Sequence, residues 1–311
     1  MKTFVVNSWQ KLLRILLLPL HFGGTDFYPP VTHKTNNPTK LFFKRNFNFI
    51  SDNKRYKFWT TITKKHPTFS FFYQDKPEEN YKNFYKNQNI RYYDELLNFY
   101  KSGSSVINDF FNEYDHKKIL SYFKKKIHIQ FTANSNKAGW VSNSDELNTI
   151  IHDKVSYLEK IIFNKKIKKQ KYRLSSWKKE SNSLSYSKDS VLFHQDRFIP
   201  SIKLIYFPSE VIIDPYEYCI GSHIINYQFF KNSLLTMKGV NEVNNNYDFN
   251  NYEIKKFYVK ANSLLLTATH GLHRRSQTKE NISGIRDFIT ISYYNHFTRY
   301  DLLSNYFKSF F

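Results

Sequence analysis

Three residues of metal-binding type carry the chemistry this chain could perform. His194 and Asp196 stand two apart in SVLFHQDRFIP, and His273 lies far downstream in LLLTATHGLHRRS. Two histidines and one carboxylate make the facial set that holds Fe(II) and leaves coordination positions open for an oxidant and a co-substrate. Residues i and i+2 of a strand point to the same side of a sheet. His194 and Asp196 can therefore grip one ion from a single strand while Gln195 points away. His273 must then come from another strand. Arg286 follows a strand and a turn later, in the alternating apolar run GIRDFITISYY. An unpaired guanidinium there is costly to bury. An anion would pair with it, and the carboxylate of 2-oxoglutarate matches the guanidinium fork.

Other residues near these motifs have two readings each. His270 precedes His273 by three positions, so in a strand the two face opposite sides. His273 is the expected ligand, and His270 as ligand is the alternative. Lys203 and Tyr206 lie on the apolar run Ile202 to Phe207, which Pro208 stops. They are candidates for the co-substrate pocket; an outward lysine and a core tyrosine are the alternative. Arg274 and Arg275 either bind an anionic substrate group or face solvent. The one cysteine, Cys219, excludes an intramolecular disulfide and reads as a small buried hydrophobe. No Cys/His cluster has structural-zinc spacing.

Longer stretches add a resemblance. SIKLIYFPSEVIIDPYEYCIGSH is similar to the segment after the metal dyad in the phytanoyl-CoA dioxygenase family: a lysine-led apolar strand, a short acidic loop, then the turn Gly221-Ser222-His223. LLLTATHGLHRRS resembles that family's second-histidine strand. The resemblance covers roughly residues 145–300. It departs from the pattern at Ile212 to Tyr216, where the glycine usual before the Gly-Ser-His turn is missing. The resemblance implies a double-stranded β-helix, a jelly roll of cupin-like type. It also implies Fe(II), 2-oxoglutarate and O2 as cofactor and co-substrates. On the family pattern His194, Asp196 and His273 are the iron ligands and Arg286 is the 2-oxoglutarate clamp.

The elements that must position these residues are legible in outline. Turn signals and alternation from residue 173 onward read as β structure. The clearest helix opens at Asn143 or Ser144 and carries the stripe Leu147, Ile150, Ile151, Val155, Leu158, Ile161 and Ile162. Lys165 to Lys171 close it with positive charge, with a nucleic-acid patch as the alternative. Tyr92 to Tyr100 reads as a second helix. Val106, Ile107, Phe110, Phe111 and Tyr114 suggest a third, and Asp115 a cap for a fourth. Residues 57–73 are β-prone, residues 22–60 read as an irregular arm, and the tail reads as helical. Leu12 to Phe22 is too short and interrupted to span a bilayer and reads as an amphipathic helix. The expected organisation is α+β with a mainly β core: a helical and irregular extension over 1–130 packed on an oxygenase core over 131–311.

A hydrophobic share of 41% is ample for a core, and 30 Phe with 24 Tyr make it aromatic. The net charge of +21 invites an anionic partner. Enrichment in Asn, Lys, Ile, Tyr and Phe together points to base-composition drift, so a small-molecule substrate, anionic in character, is expected ahead of nucleic acid. The functional expectation is a cytoplasmic Fe(II)/2-oxoglutarate-dependent dioxygenase that hydroxylates such a metabolite and releases succinate and CO2. Two alternatives stay open: a non-catalytic β-helix that binds an anion or nucleic acid, and an oxygenase acting on nucleic acid.

Overall fold

The structure is a computed structural model. It describes Tyr81, Lys82, Tyr85 and residues 89–130, 137–141, 144–163, 172–179, 192–196, 201–229, 249–276 and 284–292. The amphipathic stretch at 12–22, the arm and β-prone segment through residue 73, the basic run at 165–171 and the C-terminal tail lie outside the described residues.

Among the described residues, three long helices precede or flank the strands. Helix α1 (Tyr93–Ser102) opens with Asp94 and Glu95, which complement its dipole, and ends at Gly103. Gly103 adopts φ 85°, and its N–H returns to Phe99 O, closing the last turn in left-handed geometry. Helix α2 (Glu113–Gln130) is capped by Asn112, whose Oδ1 accepts from Asp115 N at 2.8 Å. The cap expected at Asp115 therefore sits three residues earlier. Helix α3 (Asp145–Phe163) starts as expected, with Ser144 Oγ accepting from Leu147 N. No helix among the described residues is long and apolar enough to cross a membrane.

The strands form two antiparallel sheets. The larger holds β1 (Ser104–Ile107), β7 (Ser263–Ala268), β4 (Ile202–Phe207), β9 (Gly284–Ser292), β3 (Arg173–Lys179) and β2 (Lys137–Val141), in that order. The smaller holds β6 (Ile254–Phe257), β5 (Tyr216–Cys219) and β8 (His273–Arg275). His194 extends it by an isolated bridge to His273. Along the chain the succession β3, His194, β4, β5–β6, β7, β8, β9 passes repeatedly between the sheets. The spatial orders are β3-β9-β4-β7 in one and His194-β8-β5-β6 in the other. That winding is a double-stranded β-helix, a jelly roll within an α+β chain.

Strand parity divides the core in two. On one face of the larger sheet, Ile202, Leu204 and Tyr206 of β4 join Leu264, Leu266, Ile289 and Ile291 under the helices. On the other, Ile205, Leu265 and Phe288 meet Tyr216, Tyr218 and Phe257 of the smaller sheet. Strand β7 is buried at all six positions. Each such Leu contributes about 1.5–3 kcal/mol on burial.

Two local expectations are corrected. Ser104–Ile107 form a strand instead of a helix, because β7 offers Ser105 and Val106 a ladder at Leu266 and Leu265. This strand lies before residue 130 yet completes the larger sheet. His194 and Asp196 lie outside any continuous strand: only His194 makes a bridge, while Asp196 N donates to Thr269 O.

Candidate metal centre

His194 and His273 are one rung of the smaller sheet. Each backbone N–H donates to the other's carbonyl at 3.0 Å, so the two side chains leave the backbone as neighbours, with ring centroids 4.6 Å apart. The Asp196 backbone is anchored on Thr269, which brings its carboxylate to the same place. Asp196 Oδ1 lies 3.7 Å from His194 Nε2 and 3.5 Å from His273 Nε2. The three ligand-type atoms all fall within 4.8 Å of one another.

Both imidazoles have their tautomer set from behind. His194 Nδ1 donates to Leu192 O at 2.8 Å, and His273 Nδ1 donates to Gly271 O at 3.0 Å. The proton on Nδ1 leaves the Nε2 lone pair directed at Asp196, the arrangement that a metal-ligating histidine requires. Burial, reinforced by the neighbouring His273, lowers the His194 pKa to about 4. Its ring is neutral at pH 7 and available as a ligand. Burial would raise the Asp196 carboxyl, but the Lys203 ammonium outweighs it and holds the group well below the usual carboxylate range. A tautomer-fixed histidine pair with one ionised carboxylate fits a divalent first-row metal ion.

Around this face stand Lys203, Tyr216 and Thr267, from three strands. Lys203 joins the group: its Nζ lies 2.5 Å from Asp196 Oδ2. Tyr216 stacks on His273 with centroids 5.4 Å apart and shares a 2.9 Å hydrogen bond with Thr267. Arg286 shares the inter-sheet parity of Phe288 on β9, and its guanidinium lies over that ring. It donates to the carbonyl of Asp214. Asp214 has φ 43°, a left-handed conformation in the same loop that lacks the family's glycine. Aspartate tolerates that region better than most residues.

Tyr206 does not belong to the group. Three residues from Lys203, it faces the helices, donates to Asn262 Oδ1 and lies 2.7 Å from His116 Nδ1. Strand parity puts residues of odd separation on opposite faces, so Tyr206 takes the core position that was the alternative to the co-substrate pocket. His270 is a fully buried brace. Its Nδ1 accepts from Ser201 N, and its Nε2 donates to His223 O. Gln195 points away from the metal face as expected and donates to His270 O. Arg274 neither meets the metal face nor merely faces water: it pairs with the buried Glu217 at 2.5 Å and covers Phe193. The residue before one ligand is thereby fastened to the residue after the other. Cys219 is buried, which pushes its thiol up to about 12.

Tyr216 and Thr267 escaped the sequence reading. Neither belongs to a ligand motif, and only the pairing of β5 with β8 puts Tyr216 beside His273.

No family model and no curated protein matches the chain. Solved structures do resemble it. HygX from Streptomyces hygroscopicus, with nickel and 2-oxoglutarate bound, is 13% identical over 64% of this chain and 85% of its own, with a TM-score of 0.41. The non-haem alpha-ketoglutarate-dependent carbocyclase SnoK from nogalamycin biosynthesis is 10% identical over 66% and 84%, with a TM-score of 0.45. EctD from S. alaskensis with bound Fe is 11% identical over 63% and 75%, with a TM-score of 0.42. These likenesses are distant, and the fold described above rests on this chain's own strand order.

Proposed function

We propose that this chain is a non-haem Fe(II)/2-oxoglutarate-dependent oxygenase of phytanoyl-CoA dioxygenase type that hydroxylates a small, anionic metabolite. The observation that carries the reading is the convergence of His194 Nε2, Asp196 Oδ1 and His273 Nε2, with each histidine's Nδ1 held by a carbonyl. Such a set leaves three of six positions open on iron, enough for a chelating 2-oxo acid and O2. When bound, Fe(II) with these co-substrates supplies the oxidation: 2-oxoglutarate and O2 become succinate and CO2, and the second oxygen atom enters a substrate C–H bond.

The protein's own part is to hold and orient. His194, Asp196 and His273 would keep the ion on one side of the inter-sheet space. Arg286 would pair with the distal carboxylate of 2-oxoglutarate, turning its fork from the Asp214 carbonyl toward the stronger, charged acceptor. Tyr216, stacked on His273, forms a wall that would limit how a substrate approaches. Phe288 and Leu265 pack with Tyr216 in the inter-sheet core, which puts apolar surroundings beside the site and keeps charge interactions strong there.

The test is an anaerobic Fe(II) titration with 2-oxoglutarate, following the weak visible charge-transfer band of the chelate. The band appears in the unaltered protein and is absent from Asp196→Ala. A folded, metal-loaded protein that shows no band refutes the oxygenase reading and restores the anion-binding β-helix in its place.

A further inference from the structure

We propose that Lys203 is a positioning residue that makes Asp196 a one-oxygen ligand and so keeps a coordination position open. The inference rests on the metal-centre reading above and deepens it.

The two oxygens of Asp196 have different neighbours. Oδ1 faces both imidazole Nε2 atoms, at 3.5 and 3.7 Å. Oδ2 faces the Lys203 ammonium at 2.5 Å. The Asp196 and Lys203 side chains are only 18% and 21% exposed, so water competes weakly for either partner. A charge-assisted hydrogen bond in such surroundings is strong, and breaking it strands a charge.

The lysine is itself held firmly. Its backbone sits mid-sheet, paired with Thr267 of β7 on one side and Ser292 of β9 on the other. It shares the parity of Ile205, which faces the smaller sheet. Lysine at this position is therefore directed at the carboxylate by two ladders.

A carboxylate binds a metal ion through one oxygen or through both. If both Asp196 oxygens bound, two histidines and the carboxylate would fill four positions. A chelating 2-oxo acid would fill the remaining two and leave none for O2. With Oδ2 kept by Lys203, the same residues fill three. Lys203 acts through Asp196 and need not touch the substrate.

The experiment uses Co(II) alone as the first probe and 2-oxoglutarate as the second, with the full chain, Lys203→Met and Lys203→Arg. Folding of each is checked by circular dichroism. The Co(II) ligand-field spectrum without co-substrate changes in K203M and returns toward the original in K203R, which retains the charge. The Kd for 2-oxoglutarate on the Co(II) protein stays within about twofold in K203M, because a two-oxygen Asp196 still leaves the two positions that a chelating 2-oxo acid needs. Should K203M not fold, Lys203→Gln, with a neutral donor, is read in the same two ways.

An unchanged Co(II) spectrum in the lysine variants overturns the proposal. A raised 2-oxoglutarate Kd with an unchanged Co(II)-only spectrum overturns it too, because Lys203 would then meet the co-substrate directly. Failure of the unaltered protein to take up Co(II) is a separate outcome, and it refutes the metal centre itself.

Discussion

Each candidate ligand histidine commits its Nδ1 proton to a carbonyl two residues upstream, at Leu192 and at Gly271. The sequence shows the residue types but not this tautomer choice, which depends on how the backbone turns before each histidine. His-x-Asp and the distant histidine were legible as metal-ligating residue types, but the strand expected to carry the dyad is replaced by a single His194–His273 bridge. Arg286 drew notice because a cation in an alternating apolar run needs a partner, and the structure gives it the Asp214 carbonyl. Arg286→Met is expected to raise the Kd for 2-oxoglutarate about 10- to 100-fold, the loss of a charge-assisted pair of about 1.5–3 kcal/mol. The same titration should show Fe(II) affinity unchanged. Two other histidines govern acid stability. Burial lowers the His270 pKa to about 3 and the His223 pKa to about 4. The unfolded chain takes up protons near the ordinary histidine value, while the folded chain refuses them until far lower. Their contribution is therefore complete above about pH 6.5 and is lost as the pH falls toward the folded values, at up to about 1.4 kcal/mol per pH unit for each. Urea midpoints should fall between pH 7 and pH 5, and fall less in His270→Gln. That variant is also expected to bind Fe(II), since His270 faces Ser201 and His223.

At the scale of the element, parity decides more than composition. β4 was legible as an apolar strand, but Lys203 and Tyr206 were both admitted to one pocket although three residues separate them. The strand sends Lys203 to Asp196 and Tyr206 to Asn262. Tyr206→Phe should lower stability by about 1–2 kcal/mol through the lost buried hydrogen bond. It should leave 2-oxoglutarate affinity as it was; a change in that affinity would return Tyr206 to the pocket. The helices α1 and α3 were legible from the helical spacing of their apolar residues. β1 was not. Val106, Ile107, Phe110 and Phe111 have a spacing that suits a helix, and only the open edge of β7, invisible in the local sequence, makes the first two a strand. Phe110 and Phe111 then pack against Tyr206 from a loop fastened by Asn262.

For the whole molecule, the jelly-roll order came from a resemblance and not from periodicity, since no local pattern states which strand lies beside which. The order of pairing gives an argument about truncation. Residues 131–311 alone would lack α1 and β1, leaving one edge of the fully buried β7 without its ladder and uncovering Leu264 and Leu266. That fragment is expected to aggregate or to remain unfolded, as judged by circular dichroism and Fe(II) uptake. A folded, metal-binding fragment would show that the first 130 residues are dispensable. A last consequence concerns the reciprocal backbone pair of His194 and His273. Because a single rung sets the spacing of the two imidazoles, the length of chain between them has no say in it. Insertions and deletions in the connecting loops can accumulate across generations, reshaping what surrounds the ion while its grip is inherited unchanged. A scaffold built this way can take new substrates by loop turnover, with the rung that spaces the two imidazoles left untouched.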